Sequence, residues 1–310
     1  MPGVSAPGGE PPAQPVAVQV GDRTLRLSHL AKRLWPDGWT KAEMIEYYAT
    51  VADAMVPHLA GRPASFVRLP TGTGGERFYA KAPPQGLPDW VPRVAVPSHR
   101  AGEKPHAAVD GRPALVALAQ LYCVELHVPQ WREETGADRH DRLVVDLDPG
   151  PGRDVTDCCA VALLMRERLA ADGLPCWAKT SGAKGMHLYA RLRDEPAERA
   201  VGYARAVAEE LAAAHPDLLT AKMAKALRPG RVFLDWSQNS SAKTTAAPYS
   251  LRATEPHPGV STPLTWDEVE NCRRPADLAF SPAEVLERVA EHGDLLAPLL
   301  TARSRRLPGP

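Results

Sequence analysis

The chain has 310 residues, 44% of them hydrophobic, which is enough for one large domain or two fused lobes with a proper core. Lys+Arg and Asp+Glu both number 37, so the net charge is zero; this counts against a protein that coats DNA through bulk positive charge but leaves room for a local basic groove. No apolar run reaches the roughly 18 residues of a membrane span, and the five cysteines (Cys123, Cys158, Cys159, Cys176, Cys272) form no C-x-x-C pair, which argues against a disulfide framework or zinc ribbon and for free thiols in a reducing cytoplasm.

Residues 1–17 lack the basic and apolar regions of a signal peptide and read as a disordered arm. Residues 18–295 are expected to form the catalytic domain, and 296–310 a flexible tail. A helix is predicted over 40–59, with a Thr40/Glu43 capping box and apolar residues from Met44 to Leu59 at helical spacing. Residues 62–81 read as a strand pair around T-G-T-G-G, and 113–124 as a helix running into E-L-H. Next come a strand at 142–148, a helix at 154–171, strands at 175–180 and 186–192 joined by S-G-A-K-G, and a helix at 195–214. Strands at 231–235 and 248–253 follow. Two short helices close the chain, with capping boxes at Thr265/Glu268 and Ser281/Glu284. Hairpin-like pairs dominate the middle, so the expected class is α+β: a mixed or antiparallel sheet flanked by helices.

Four features can carry chemistry. Asp146 and Asp148 alternate with Val145 and Leu147 on one strand, so both carboxylates share a face. Adjacent carboxylates repel unless a cation lies between them, and Mg²⁺ or Mn²⁺ suits all-oxygen ligands; a solvated strand-end pair of acids has the same spelling. The turn T-S-G-A-K-G-M-H can present backbone N–H groups, Ser181 and Lys184 to an anion, with His187 on the following strand; an ordinary hairpin turn also fits. Asp235 ends the strand R-V-F-L-D and could complete a two-metal site or cap a turn. Lys243 and Arg252 could neutralise phosphates or be solvated surface charges.

Together these features resemble the three motifs of the archaeo-eukaryotic primase superfamily: Asp146-x-Asp148, Ser181-Gly182-x-Lys184-Gly185-x-His187, and hydrophobic-Asp at Leu234-Asp235. The flanking runs D-L-D-P-G, K-T-S-G-x-K-G-x-H, R-V-F-L-D-x-x-Q-N and A-P-Y-S-x-R-A resemble the polymerase domain of bacterial ligase D, an end-joining enzyme, over roughly residues 20–290. The resemblance implies a primase–polymerase-like sheet flanked by helices, with two fused lobes in one catalytic domain. It also implies template-directed addition of nucleotides, with ribonucleotides preferred, to 3′ ends at DNA breaks or gaps. Asp146, Asp148 and Asp235 would hold two Mn²⁺ or Mg²⁺ ions. Ser181, Lys184, Gly185 and His187, with Lys243 and Arg252, would hold the nucleoside triphosphate, and His127 and Gln238 would lie near it.

Phe78 and Tyr79 match an aromatic pair that meets template bases; plain strand core is the competing reading for one of them, since adjacent strand residues face opposite ways. Lys32, Lys41 and Lys81 match a basic pocket for the 5′-phosphate of a gap or break, and Lys225 and Arg228 lie in the loop before Asp235. His29 stands where relatives tend to have Asn, Ala80 where they tend to have Gln, and 128–141 looks longer than usual. K-x-D-G, the ligase signature, is absent, so the chain reads as a stand-alone polymerase or an excised domain. A separate ligase and the Ku end-binding protein are the partners the resemblance suggests, in a bacterial, nucleoid-associated setting. The rival readings are a stand-alone primase and a non-catalytic DNA end-binding module.

Overall fold

Apolar side chains sort into two large cores, one for each of the main sheets, and a small third cluster of Val144, Tyr189 and Leu299. The computed structural model describes residues 14–98 and 102–309. In chain order, a hairpin of β1 (Val16–Val20) and β2 (Arg23–Leu27) leads to α1 (Lys41–Leu59), β3 (Ser65–Arg68) and β4 (Phe78–Ala80). A second hairpin, β5 (Arg93–Ser98) and β6 (Gly102–Ala107), precedes α2 (Arg112–Gln120) and β7 (Cys123–Val128). The central run is β8 (Arg139–Pro149), α3 (Val155–Ala171), β9 (Cys176–Thr180), β10 (Met186–Pro196) and α4 (Ala197–Ala214). After it come β11 (Leu219–Thr220), β12 (Val232–Asp235), β13 (Thr245–Ala246), β14 (Leu251–Arg252), β15 (Gly259–Val260) and β16 (Pro263–Leu264). Three helices finish the chain: α5 (Trp266–Asn271), α6 (Pro282–His292) and α7 (Ala297–Thr301).

The larger sheet has the order β11-β12-β8-β10-β9-β16 and the smaller β13-β7-β3-β4. Every described pairing within them is antiparallel except β11 with β12. The class is therefore α+β, as expected. Leu143, Val145 and Leu147 of β8 and Leu188 of β10 bury themselves against α3 (Val161, Met165, Leu169) and α4 (Val207, Leu211). Each such side chain contributes about 1.5–3 kcal/mol when removed from water. In the first core, Met44, Tyr48, Val51 and Met55 of α1 pack on Leu115 and Leu118 of α2 and on Phe66 and Leu126 of the smaller sheet. Phe280 packs against both cores.

The capping boxes at Thr40, Thr265 and Ser281 form as predicted, and Asp154/Asp157 adds another at α3. Three expectations shift. The helix expected to run to residue 124 stops at Gln120: Tyr122 takes φ 63°, and E-L-H lies on β7. Only Leu251–Arg252 of the strand expected at 248–253 is paired. The stretch 296–310, expected to be a flexible tail, contains α7; Leu299 and Leu307 are buried, and Arg193 N donates to Arg305 O at 2.8 Å. The expected N-terminal arm falls on residues 1–13, outside the described residues, apart from a short piece that runs into β1. No described helix is long and apolar enough to cross a membrane.

Candidate active site

One transverse row of the larger sheet carries most of the chemistry. Asp235 on β12 lies opposite Asp146 on β8, Asp146 opposite His187 on β10, and His187 opposite Lys179 on β9. Facing partners on neighbouring strands share a side of the sheet, so these four side chains line up on the face turned away from α3 and α4. Asp148 adds the third acid two residues along β8. One carboxylate oxygen each from Asp146, Asp148 and Asp235 lie within 4.8 Å of one another. Only oxygen donors converge there, which suits a hard divalent cation.

The electrostatics favour the same occupant. Burial, followed by repulsion from Asp235, pushes Asp146 up to about 7. Burial, with Asp146 and Asp235 beside it, pushes Asp148 up to about 7. Arg228 opposes both shifts; its guanidinium lies 3.7 Å from the centroid of Phe233, the residue opposite Asp148. Arg228 therefore joins the site, whereas Lys225 stays exposed in the preceding turn.

Asp235 is held from behind. Its Oδ1 accepts from Ser237 N and Oγ at 3.1 and 2.5 Å, and its Oδ2 accepts from Gln238 Nε2 at 3.0 Å. Asn239 then pairs with both backbone groups of Val144, at 2.9 and 2.7 Å, and extends the β12 edge. That pairing explains the W-S-Q-N run: it fixes Gln238 and Asp235 relative to β8.

The 181–185 turn is shaped by its glycines. Gly182 has φ +73°, and a Cβ there would come within 2.6 Å of Arg252 Cγ; a Cβ on Gly185 would lie 2.1 Å from Leu147 O. Neither position admits a larger residue without displacing a strand. Ser181 Oγ accepts from the N–H groups of Ala183 and Gly185 at 3.2 and 3.1 Å, so its hydroxyl first organises the turn. Lys184 projects to solvent at the tip. His187 Nε2 lies 3.3 Å from Asp146 Oδ1, and Lys179 Nζ lies 2.9 Å from its Nδ1. Burial, then the charges of Lys179 and Arg252, hold His187 well below the ordinary histidine range. The arrangement in which Lys179 Nζ donates to Nδ1 puts the ring proton on Nε2, toward Asp146; burial, first, lowers Lys179 itself well below the ordinary lysine range.

The smaller sheet supplies the opposite wall. His127 on β7 is bonded through Nε2 to Glu125 Oε2 at 2.8 Å. Glu125 also accepts from Arg252 Nε at 3.0 Å and Ala253 N at 2.9 Å. Although burial alone would raise it, these bonds hold the carboxyl at about 2. Arg252 Nη1 reaches back to Ser181 O at 2.5 Å and so ties one sheet to the other. Phe78 and Tyr79 are both exposed, at 42% and 55%, because β4 is the edge strand of its sheet. Neither is core. Tyr79 OH is 3.0 Å from Thr244 Oγ1, beside exposed Lys243.

A separate basic patch forms at Tyr122. Lys41 Nζ sits 4.2 Å from its ring centroid and donates to Ser28 O at 2.8 Å; Lys32 Nζ sits 5.3 Å from the same ring. Burial and Lys32 push Lys41 down to about 8, a strain that an anion would relieve. His29 is exposed beside them with φ 55°, a left-handed backbone that His, like Asn, tolerates better than most residues. Lys81 is not brought to this pair. It follows Ala80 at the opposite end of the β3–β4 ladder, where its Nζ donates to Ala242 O at 3.3 Å.

Lys179 and Glu125 are functional positions missed by the sequence motifs, although both lie inside the runs K-T-S-G and E-L-H. Glu125 precedes His127 by two residues on a strand, which was the available signal that they share a face.

The family model described as LigD, primase-polymerase domain, matches residues 40–296. The chain belongs to the LigD primase–polymerase family. It is 44% identical over 278 residues to the multifunctional non-homologous end joining protein LigD of Mycolicibacterium smegmatis, covering 89% of this chain and 36% of that protein. Against the bifunctional LigD of Bacillus subtilis the identity is 30% over 256 residues, covering 82% of this chain and 40% of the relative. This LigD-type chain thus spans little more than a third of the length of those relatives. A solved structure of the polymerase domain from Mycobacterium tuberculosis ligase D in complex with DNA superposes with a TM-score of 0.83 at 42% identity, covering 92% of this chain and 99% of that one.

Proposed function

We propose that this primase–polymerase domain adds nucleotides, preferentially ribonucleotides, to the 3′-hydroxyl of a DNA end held across a break or gap during end-joining repair. The observation that carries the reading is the convergence of Asp146, Asp148 and Asp235 from two strands onto one set of oxygen donors. Those three residues would hold two Mn²⁺ or Mg²⁺ ions, which when bound supply charge neutralisation at the phosphates and a more acidic 3′-hydroxyl.

The chain's own residues do the positioning. The 181–185 turn offers N–H groups, and Lys184, Lys243 and His187 Nε2–H offer donors to the triphosphate of the incoming nucleotide. Arg252 fixes the distance between the two walls, while Gln238 steadies Asp235. Phe78 and Tyr79 give a flat, sequence-independent surface for template bases, with Lys81 nearby for the backbone. Lys32, Lys41 and His29 would form a pocket for the downstream 5′-phosphate, and the bound dianion would raise the lowered Lys41 and hold it more firmly in its charged form. Arg228 and Lys225 lie on the approach to the carboxylates. Ku and a ligase are the partners this role calls for.

The test is extension of a gapped, 5′-phosphorylated duplex with ribonucleotides and Mn²⁺. Asp146→Ala should abolish extension. Omitting the 5′-phosphate, or making Lys41→Ala, should weaken the parent's extension to a similar degree. Extension by Asp146→Ala at the parent's rate would remove the assignment.

A further inference from the structure

The face of the larger sheet that carries the carboxylates continues along β8 and β10 to a second charged cavity. Opposite pairs step from Asp146 and His187 through Val144 and Tyr189 to Arg142 and Arg191. Arg142 is four residues from Asp146, roughly 13 Å along an extended strand. Beside it lies a cavity of about 330 Å³, walled by α7 and the segment after it and lined by Arg62, Arg132, Arg142, Arg191 and Arg193. The acids at its wall are Glu134, Asp141 and Asp194.

The charges there do not close among themselves. Asp141 Oδ2 is shared by Arg62 Nη2 at 2.5 Å and Arg132 Nε at 2.9 Å. Among the described residues no carboxylate pairs with Arg142, which is 2% exposed. It donates to Gln130 Oε1 at 2.8 Å and Pro129 O at 3.0 Å, and its Nη1 has no protein partner. Arg62, 1% exposed, likewise leaves Nε without a partner. A buried guanidinium without a counter-charge is costly, and so is each unpaired buried N–H. Burial and the nearby Arg62 push Arg142 down to about 9, the direction that a missing anion gives. Asp141 Oδ1 is also unpartnered, so a fitting occupant combines negative oxygens with a hydroxyl or an accompanying water.

We propose that this arginine cavity is a second anion site that binds a phosphate group, apart from the three carboxylates and from the Lys32–Lys41 patch. The phosphate can be free hydrogen phosphate, whose hydroxyl would meet Asp141 Oδ1, or a backbone phosphate of a nucleic-acid strand lying along the same sheet face. Arg191 and Arg193 guard its outer side: Arg191 is half-buried and donates to Ala302 O at 2.7 Å, and Arg193 is exposed.

The experiment titrates inorganic phosphate into the whole chain by calorimetry, with chloride at matched ionic strength as the control. Saturable phosphate binding is expected to survive in Asp146→Ala and in Lys41→Ala alike, so neither the carboxylates nor the Lys32–Lys41 patch accounts for it and the result does not depend on the polymerase assignment. Arg191→Gln and Arg193→Gln should each weaken binding roughly tenfold, the worth of one hydrogen bond to a charged group. Arg193→Gln disturbs no tether to the C-terminal segment, and a parent-like unfolding transition would show that it folds. A second arm measures primer–template affinity against salt. A backbone phosphate as occupant predicts that Arg193→Gln reduces the slope of log K on log salt by about one; free phosphate alone predicts an unchanged slope while Arg193→Gln still weakens calorimetric phosphate binding. Absence of saturable phosphate binding, together with unchanged DNA binding in both variants, overturns the proposal.

Discussion

At Asp146 and Asp148 burial and mutual repulsion act in the same direction, and the consequence is measurable without any substrate. Both carboxyls are raised from 3.8 to about 7 in the folded chain. Between those values the folded state binds more protons than the unfolded state, so metal-free stability falls as pH rises from about 4 to about 7. Asp148→Asn removes one of the repelling charges. Its metal-free melting temperature should exceed the parent's at about pH 8, with the gap closing near pH 4, and Mn²⁺ should stabilise the parent more than the variant. A parent whose metal-free stability is flat across that range would contradict the assigned electrostatics.

Lys179 makes a second residue-scale prediction. It is fully buried, and its contacts are His187 Nδ1, Ser261 Oγ at 2.5 Å and Thr180 O at 3.4 Å. It is thus a positioning residue for the His187 tautomer. Lys179→Met should lower kcat/KM for the nucleotide by about 10–100-fold, the usual cost of losing an orienting partner. Nitrogen NMR should show the His187 proton no longer confined to Nε2. Unchanged nucleotide kinetics with an unchanged tautomer would leave Lys179 with a packing role only.

The elements show where sequence was informative. Helices α1, α3 and α4 were legible because a long apolar stripe and capping residues act locally. The overrun of α2 has an equally local cause: Val124 and Leu126 serve a strand core as well as a helix stripe, and only the left-handed Tyr122 separates the two. For β4, alternation suggested one buried ring, but its position at the sheet edge exposes both, a tertiary fact that no window of sequence contains. Two exposed rings can be altered without loss of core. Phe78→Ala and Tyr79→Ala should each cost about 1–3 kcal/mol in template affinity, with unfolding transitions close to the parent's. A large stability loss with template affinity intact would assign them to packing instead.

At the scale of the molecule, two sheets with separate cores are linked by Arg252, which bonds Glu125 on one side and Ser181 on the other. The D-x-D pair was legible from strand periodicity alone. The arrival of Asp235 beside it was not, because β12 pairs with β8 across a separation of 83 (Val232 and Pro149) to 89 (Asp235 and Asp146) positions that spacing cannot encode; resemblance to a known motif set is what favoured it over a turn cap. The same distance in sequence hid the arginine cavity, whose walls come from the turn before β3, the 132–135 loop, β8, β10 and the C-terminal segment.

Convergence of Asp235 with the β8 pair is therefore the claim to test first. Mn²⁺ binding followed by electron paramagnetic resonance, in the parent, Asp146→Ala and Asp235→Ala, addresses it directly. Shared ions require both variants to lose Mn²⁺ occupancy at concentrations that saturate the parent. Parent-like affinity and stoichiometry in Asp235→Ala would separate that carboxylate from the metal centre and contradict the account.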